Sequence, residues 1–182
     1  EWSRVIQQEV GRLEGLVRQF LELSRGRGED DFGMVRMDGA RWLSQIRSRI
    51  AGADLVLQGP PEGSVFFMGD PERLCRVVEN WVRNSRQAGA TRIEVGIERG
   101  QPDLEEIGIY VQDDGEGIAE SDLNRIFAPF YTTRSEGTGL GLSICRQIAQ
   151  NHEARIEVKS RKGEGSRFVF WLKAGLPTGS LQ

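Results

Sequence analysis

The chain has 182 residues, a formal net charge of −3, and 38% hydrophobic and 28% charged residues. This length is enough for one sizeable hydrophobic core, and the composition is typical of a soluble globular protein. The small acidic excess gives no electrostatic reason to expect nucleic acid as a partner. No apolar run approaches the roughly 20 residues that cross a bilayer. The two cysteines lack metal or redox spacing and fit a reducing compartment, so we expect a cytoplasmic location.

The first 25 residues have the pattern of one long amphipathic helix. Apolar residues recur at intervals of three and four, the spacing of a helical bundle or coiled-coil seam. They are Ile6, Val10, Leu13, Val17 and Phe20. Such a helix would be about 35 Å long and needs a partner surface. Because the chain begins at Glu1, inside this pattern, we interpret it as part of a longer protein, which could be attached to a membrane. Residues 26–32 are acidic and glycine-rich and predict a linker.

Residues 33–69 predict a strand, a helix and two further strands. The first strand is short, and Asp38 can cap a helix that continues to about Ile50. Two β-like segments follow, at residues 53–57 and 65–68. They flank a turn rich in glycine and proline and therefore predict a hairpin.

The rest of the chain alternates helices and strands. Asp70 and Pro71 form a helix-start signal, with the aspartate at the cap and the proline at the first helical position, and Gly89 ends this helix. Two strands at 93–97 and 107–111, a helix at 140–150 and a last hairpin at 154–160 and 166–172 follow. This order predicts an α/β sandwich over residues 33–174, a mixed β-sheet with helices on one face. The long bundle-type helix precedes it, and residues 175–182 form a tail.

Two asparagines, Asn80 and Asn84, lie four residues apart on the helix that begins at Pro71, so they share one face. An amide oxygen is a neutral hard donor, which can coordinate Mg²⁺ without the repulsion that a carboxylate suffers beside a triphosphate. A pair of helical asparagines alone is more typical of a solvated face. The three segments that follow make the metal-binding interpretation the better one.

The second segment is the turn Asp113 to Gly117, directly after a predicted strand. A carboxylate in this place can accept a hydrogen bond from the exocyclic amine of adenine, and Gly115 and Gly117 let the backbone approach the base. Acidic, glycine-rich turns are common, so this segment by itself is weak evidence.

The third and fourth segments are the aromatic-proline run at 127–130 and a glycine loop that opens a helix. Free N–H groups and the positive end of the helix dipole at such a loop can face a triphosphate. The loop comprises Gly137, Thr138, Gly139, Leu140 and Gly141. Only Ser135 and Glu136 lie between Arg134 and this loop.

In this order the four segments resemble the ATP site of the GHKL superfamily, and most closely the catalytic domain of sensor histidine kinases, over roughly residues 33–173. The resemblance implies the GHKL (Bergerat) ATPase fold, with ATP or ADP and Mg²⁺ as ligands. It implies Asn84 as the Mg²⁺ ligand, Asp113 as the adenine acceptor and Ser166 as its helper. Asn80 lies where relatives have an asparagine or a water-activating glutamate. Arg134 aligns with a lysine or arginine that can meet the phosphates in a charge-assisted contact. The short lid around Arg134 resembles the nitrogen-regulation-type subgroup.

The resemblance also implies the reaction and its partners. The γ-phosphoryl group passes from ATP to a histidine on a dimerisation helix and then to a response regulator. Residues 1–25 resemble the second dimerisation helix, so we expect a homodimer, but this stretch contains no histidine. The single histidine, His152, has the position of a turn or capping residue. We therefore expect the acceptor histidine upstream of Glu1 or on another protein.

Two departures from the family pattern concern the asparagine helix. Relatives commonly have alanine after the metal ligand, whereas Ser85 follows Asn84 here. Relatives also often have a phosphate-binding cation where this chain has Gln87. Either Arg83 or Arg86 could substitute for it.

Three other functions stay open beside a histidine kinase. A GHKL protein-serine kinase of the anti-sigma-factor type needs no bundle helix, so the pattern of residues 1–25 argues against it. An ATP-gated clamp of the gyrase and MutL branch has glutamate where this chain has Asn80. The third is a degenerate, non-catalytic nucleotide-binding module, and the intact Asn84, Asp113 and glycine loop argue against it.

Overall fold

The computed structural model describes residues 33–50, 52, 54–59, 65–134 and 137–175, together with four isolated residues near the start of the chain. These four are Ile6, Val10, Gly15 and Val17; all are helical, and the three apolar ones are exposed. The other positions of the helix predicted at 1–25, the linker predicted at 26–32 and residues 176–182 lie outside the described residues. The assignment of residues 1–25 to a dimerisation bundle stays a prediction.

Seven strands and four helices make up the described domain. The strands are β1 (Val35–Asp38), β2 (Leu55–Gln58), β3 (Phe66–Gly69), β4 (Ile93–Arg99), β5 (Glu106–Asp113), β6 (Arg155–Ser160) and β7 (Ser166–Lys173). The helices are α1 (Gly39–Arg49), α2 (Pro71–Gln87), α3 (Glu120–Leu123) and α4 (Gly141–Asn151), and a single 3₁₀ turn spans Pro102–Leu104. None of the described helices is long and apolar enough to cross a lipid bilayer.

The main sheet is mixed, as predicted. Its five strands have the order β2-β4-β5-β7-β6, with β2 parallel to β4 and every other neighbouring pair antiparallel. Helices α1, α2 and α4 contribute one side of the core, and alternate residues of β4, β5 and β7 contribute the other. Trp81 of α2 illustrates this packing, because its ring lies 5.4 Å from that of Phe168 on β7. The predicted sandwich is therefore confirmed.

The hairpin predicted between residues 53–57 and 65–68 is wrong. Both segments are strands, but β2 pairs with β4 in the main sheet, whereas β3 pairs antiparallel with β1 in a separate two-stranded sheet. Phe67 of β3 is buried and packs edge-on against Trp42 of α1, with the ring centroids 5.8 Å apart. Burial against α1 thus keeps β3 beside β1, while β2 extends the edge of the main sheet.

His152 connects the end of α4 to the start of α2 by hydrogen bonds. Asp70 caps α2 as predicted, accepting hydrogen bonds from the backbone N–H groups of Glu72 and Arg73 at 3.0 and 3.1 Å. The backbone N–H of Asp70 in turn donates to Nε2 of His152 at 3.0 Å, and Nδ1 of this histidine lies 2.8 Å from the carbonyl oxygen of Ile148. A ring that accepts at Nε2 and donates at Nδ1 is neutral. His152 is therefore a capping residue at the end of α4, as predicted.

This neutral histidine makes the stability of the domain depend on pH. Burial lowers the pKa of His152, against a smaller opposite effect of its bond to Ile148. The unfolded chain then binds more protons below about pH 6.5 than the folded chain does. The stabilisation is fully present above that pH and is lost as the pH falls through the folded pKa. Urea unfolding of the parent and of His152→Gln from about pH 7.5 to 5 tests this. Parallel pH dependence in both proteins would contradict it.

Candidate functional site

One pocket of about 550 Å³ opens between α2, the turn after β5, the segment before α4 and the β6–β7 hairpin. This volume suits a ligand of nucleotide size, since small-molecule pockets measure roughly 300–1,000 Å³. Nine of the twelve predicted site residues line it: Asn84, Asp113, Gly117, Arg134, Gly137, Thr138, Gly139, Gly141 and Ser166. The other three, Asn80, Gly115 and Leu140, lie behind its wall.

Strand alternation directs Asp113 toward the helices. It is the last residue of β5 and shares a face with the buried Ile109 and Val111. The β5–β7 register places Ser166 directly opposite it. Oδ1 of Asp113 accepts hydrogen bonds from the backbone N–H groups of Gly115, at 2.9 Å, and of Ser166, at 3.2 Å. The carboxylate is thus fixed at the inner end of the pocket.

The other carboxylate oxygen of Asp113 has room for one more donor. Oδ2 accepts from the hydroxyl of Ser85 at 2.7 Å, and no further donor to it is recorded among the described residues. A carboxylate offers about four acceptor positions, two on each oxygen. Ser85 is a site residue that we did not predict from the sequence. The available signal was the hydroxyl itself, at a position where the resemblance leads one to expect alanine.

Two glycines are required by the shape of the wall. Gly117 and Gly139 have φ values of +64° and +67°, in the left-handed region that favours glycine. A Cβ at Gly117 would overlap the backbone of Arg161, and one at Gly139 would overlap that of Phe130. The N–H group of Gly115 is bonded to Asp113, so this glycine also helps to orient the carboxylate.

The far end of the pocket lies between α2 and the start of α4. Asn84 is half-buried and lines the pocket, and its side-chain amide makes no hydrogen bond within the described part of the chain. Gly141, which also lines the pocket, begins α4, while Leu140 is fully buried and anchors the glycine loop to the core. The Thr138 hydroxyl accepts from the N–H of Leu140 at 3.3 Å. A neutral amide oxygen and a helix N-terminus therefore face the same space.

Asn80 does not share this exposure, although it lies on the same face of α2. It is buried, and its Oδ1 accepts a hydrogen bond from Nη2 of Arg83. Its amide also bonds the thiol of Cys145, whose pKa burial raises to about 12. A thiol with so high a pKa stays protonated and unreactive. Asn80 therefore supports the wall of the pocket from behind.

The structure distinguishes Arg83 from Arg86, the two arginines that could substitute for a phosphate-binding cation at position 87. Arg86 donates to the carboxylate of Asp54 at 2.7 Å and to the carbonyl oxygen of Ile50 at 3.1 Å, outside the pocket. Arg83 lines the pocket, and Nη2 lies 3.3 Å from where a Cβ of Gly141 would be. Of the two alternatives, Arg83 is the one that can meet a ligand.

Arg134 crosses the pocket from the opposite side. Its guanidinium donates to Oε1 of Gln87 at 3.3 Å and to the carbonyl oxygen of Asn84 at 3.5 Å. It also lies 3.5 Å from the carboxylate of Glu116, which pairs with Lys162 at 3.0 Å. The ammonium of Lys162, and to a smaller extent Arg134, hold the pKa of Glu116 below its usual range. Arg134 is thus oriented by acceptors on two sides.

Comparison with known proteins agrees with this geometry. Residues 69–176 match the family described as histidine kinase-, DNA gyrase B- and HSP90-like ATPase. The chain belongs to this ATPase family. The match begins at the last residue of β3 and includes every residue proposed above for the pocket.

Curated members of the ATPase family are similar over nearly the whole chain. The sensor histidine kinase ZraS of Salmonella typhimurium strain LT2 is 38% identical over 175 residues, which cover 94% of this chain and 37% of ZraS. The sensor histidine kinase CpxA of Escherichia coli K12 is 32% identical over 179 residues, covering 92% of this chain and 38% of CpxA. The chain therefore spans less than two-fifths of the length of either relative.

Solved structures share the fold of this family member. Full-length ShkA in complex with AMPPNP superimposes with a TM-score of 0.76 at 22% identity, covering 97% of this chain and 39% of ShkA. The nucleotide-free catalytic domain of the histidine kinase ThkA gives a TM-score of 0.62 at 25% identity, covering 77% of this chain and 95% of that domain. The match thus covers nearly all of the ThkA structure, which is itself a catalytic domain.

Proposed function

We propose that this chain is the ATP-binding catalytic domain of a sensor histidine kinase. The observation that carries the proposal is one pocket with a fixed carboxylate, Asp113, at its inner end and Asn84 with the glycine loop at its outer end. The kinase activity of the named relatives supports this proposal over a protein-serine kinase. In it, the γ-phosphoryl group of ATP passes to a histidine outside these residues and then to a response regulator.

At the inner end, Asp113 is suited to adenine. Oδ2 has one remaining acceptor position, and the exocyclic amine of adenine is a donor that can fill it. Guanine presents a carbonyl oxygen at the same edge, which would face the carboxylate without a proton between them. Ser85 and the backbone N–H of Ser166 hold the carboxylate in this orientation.

At the outer end, the side chains fit Mg²⁺ only together with a triphosphate. The described residues contain no group of three His, Cys, Asp or Glu side chains that could hold a metal ion. Asn84 would offer one amide oxygen, and Mg²⁺ commonly takes its other ligands from water and phosphate oxygens. Bound Mg-ATP would supply the transferable phosphoryl group and the metal charge that stabilises its transfer. Arg134 and the N–H groups of the glycine loop would orient the phosphates.

The acceptor histidine is not supplied by the described domain. Both ring nitrogens of His152 are engaged inside the protein, with Asp70 and Ile148, and the ring is buried. A nucleophilic imidazole needs an exposed lone pair in line with the γ-phosphorus. We propose that residues 1–25 form the second helix of a dimerisation bundle, and that the acceptor lies on its first helix in a cytoplasmic homodimer. The exposed, helical Ile6, Val10 and Val17 support this.

Nucleotide selectivity tests the proposal. The protein should bind Mg-ATP more tightly than Mg-GTP, and Asp113→Asn should lose about 1–3 kcal/mol of ATP affinity because a buried partner is left poorly paired. Isothermal titration calorimetry measures both. Asp114→Asn is the matched control, since Asp114 is the adjacent carboxylate and bonds Thr91 outside the pocket. Equal affinity of the parent protein for ATP and GTP would exclude Asp113 as the adenine acceptor.

A further inference from the structure

We propose that Arg83 is the phosphate-binding cation of α2, and that Gln87 is a positioning residue that holds Arg134. This inference rests on the proposed function. It adds a role for each of two residues, since the sequence did not decide which arginine contacts phosphate or what Gln87 does. Arg83 and Gln87 are four residues apart, so they occupy successive turns on one face of α2.

The guanidinium of Arg83 is held in the pocket without being neutralised. Its Nη2 donates to Oδ1 of Asn80, which is itself buried beneath α4. Among the residues that the structure describes, no carboxylate lies within ion-pair distance of Arg83. Arg86, one turn further along α2, differs in this respect because it pairs with Asp54 at 2.7 Å. Arg83 therefore presents a full positive charge to whatever occupies the pocket.

The position of Arg83 matches the place that phosphates would take. It lies beside Gly141, where α4 begins, and one residue before Asn84. The positive end of α4 and the Arg83 charge thus act on the same space, and both favour an anion there. A bidentate guanidinium is well suited to phosphate oxygens.

Gln87 has a different role, because its side chain is hydrogen-bonded to Arg134. Its Oε1 accepts a hydrogen bond from Nη1 of Arg134 at 3.3 Å. A lysine or arginine at position 87 would place a like charge against Arg134 and would repel it. The neutral acceptor at 87 and the cation one turn earlier are therefore two parts of one arrangement, in which α2 and Arg134 each contribute a positive charge.

The test of Arg83 compares ligands with and without phosphate. Arg83→Gln should weaken Mg-ATP binding by about tenfold to a hundredfold, the scale of one hydrogen bond to a charged group, and leave adenosine affinity within about twofold. Arg86→Gln is the matched control, because it removes the same charge from the same helix outside the pocket. Arg83 is exposed, so its replacement removes no core packing, but Oδ1 of Asn80 loses its donor. Arg83→Met repeats the test without an amide, and an unchanged adenosine affinity shows that the pocket is still formed.

The outcomes separate this inference from the proposed function. If the parent protein fails to bind Mg-ATP, the proposed function is wrong. If the parent binds Mg-ATP but Arg83→Gln and Arg83→Met behave like Arg86→Gln, Arg83 is not a phosphate contact. Equal losses of ATP and adenosine affinity in both Arg83 variants would likewise overturn the assignment.

A double-mutant cycle tests Gln87. Gln87→Leu should weaken Mg-ATP binding by about threefold in the parent, a modest loss because the bond to Arg134 is long and exposed and acts on the ligand only indirectly, and have no effect when Arg134 is already replaced by Gln. Such coupling is expected only if Gln87 acts through Arg134. Additive effects of the two substitutions would show that Gln87 acts separately.

Discussion

Asn84→Ala is expected to lower the affinity for Mg-ATP by at least about tenfold, the scale on which even outer-shell changes affect metal sites. The alanine removes the side-chain amide that Asn84 of α2 presents to the pocket, and with it the proposed protein ligand of Mg²⁺. Asn84 is half-buried and its amide has no partner among the described residues, so the domain should remain folded. The loss should fall on the Mg²⁺-dependent part of binding.

Calorimetric titration with and without Mg²⁺ separates these contributions. In Asn84→Ala, adenosine and metal-free ATP should bind as in the parent protein, while the gain in affinity on adding Mg²⁺ should shrink. Asn124→Ala is a suitable control, since Asn124 is exposed and lies outside the pocket. An unchanged Mg-ATP affinity in Asn84→Ala would remove the basis for assigning Asn84 as the metal ligand.

The secondary structure of the described domain follows closely from local sequence patterns, but one strand partnership does not. The caps at Asp38 and Asp70 are confirmed by their hydrogen bonds to the helix N-termini. The wrong hairpin between β2 and β3 shows the limit of such patterns. Alternation predicts that a segment is a strand, whereas its partner depends on packing between distant segments, here Phe67 against Trp42.

In the site, too, features set by local backbone geometry were predictable, whereas features set by packing between distant segments were not. The glycine loop and the turn after β5 were predictable because tight backbone geometry restricts residue type. The different surroundings of Asn80 and Asn84 were not, because helical spacing places both on one face and α4 covers only the first of them. The choice between Arg83 and Arg86 likewise depended on Asp54, which is 32 residues from Arg86 in the chain.

The second large effect expected is an absence of autophosphorylation. These 182 residues should bind ATP and yet acquire no phosphoryl group, because their single histidine cannot act as the nucleophile. Nδ1 and Nε2 of His152 are occupied by Ile148 and Asp70, and the ring packs edge-on against Phe170 at 5.8 Å. His152 is also absent from the lining of the nucleotide pocket. Exposing it would require the junction of α2 and α4 to open.

Incubation with ATP radiolabelled at the γ-phosphate tests this account most directly. The protein is assayed alone, as His152→Ala, and with the proposed acceptor helix supplied in trans, at a nucleotide concentration that calorimetry shows to be saturating. We expect no label on residues 1–182, and acid-labile label on the acceptor helix that disappears when its histidine is replaced. Acid-labile label on residues 1–182 alone that is lost in His152→Ala would contradict the account, as would a saturated protein that labels no acceptor helix.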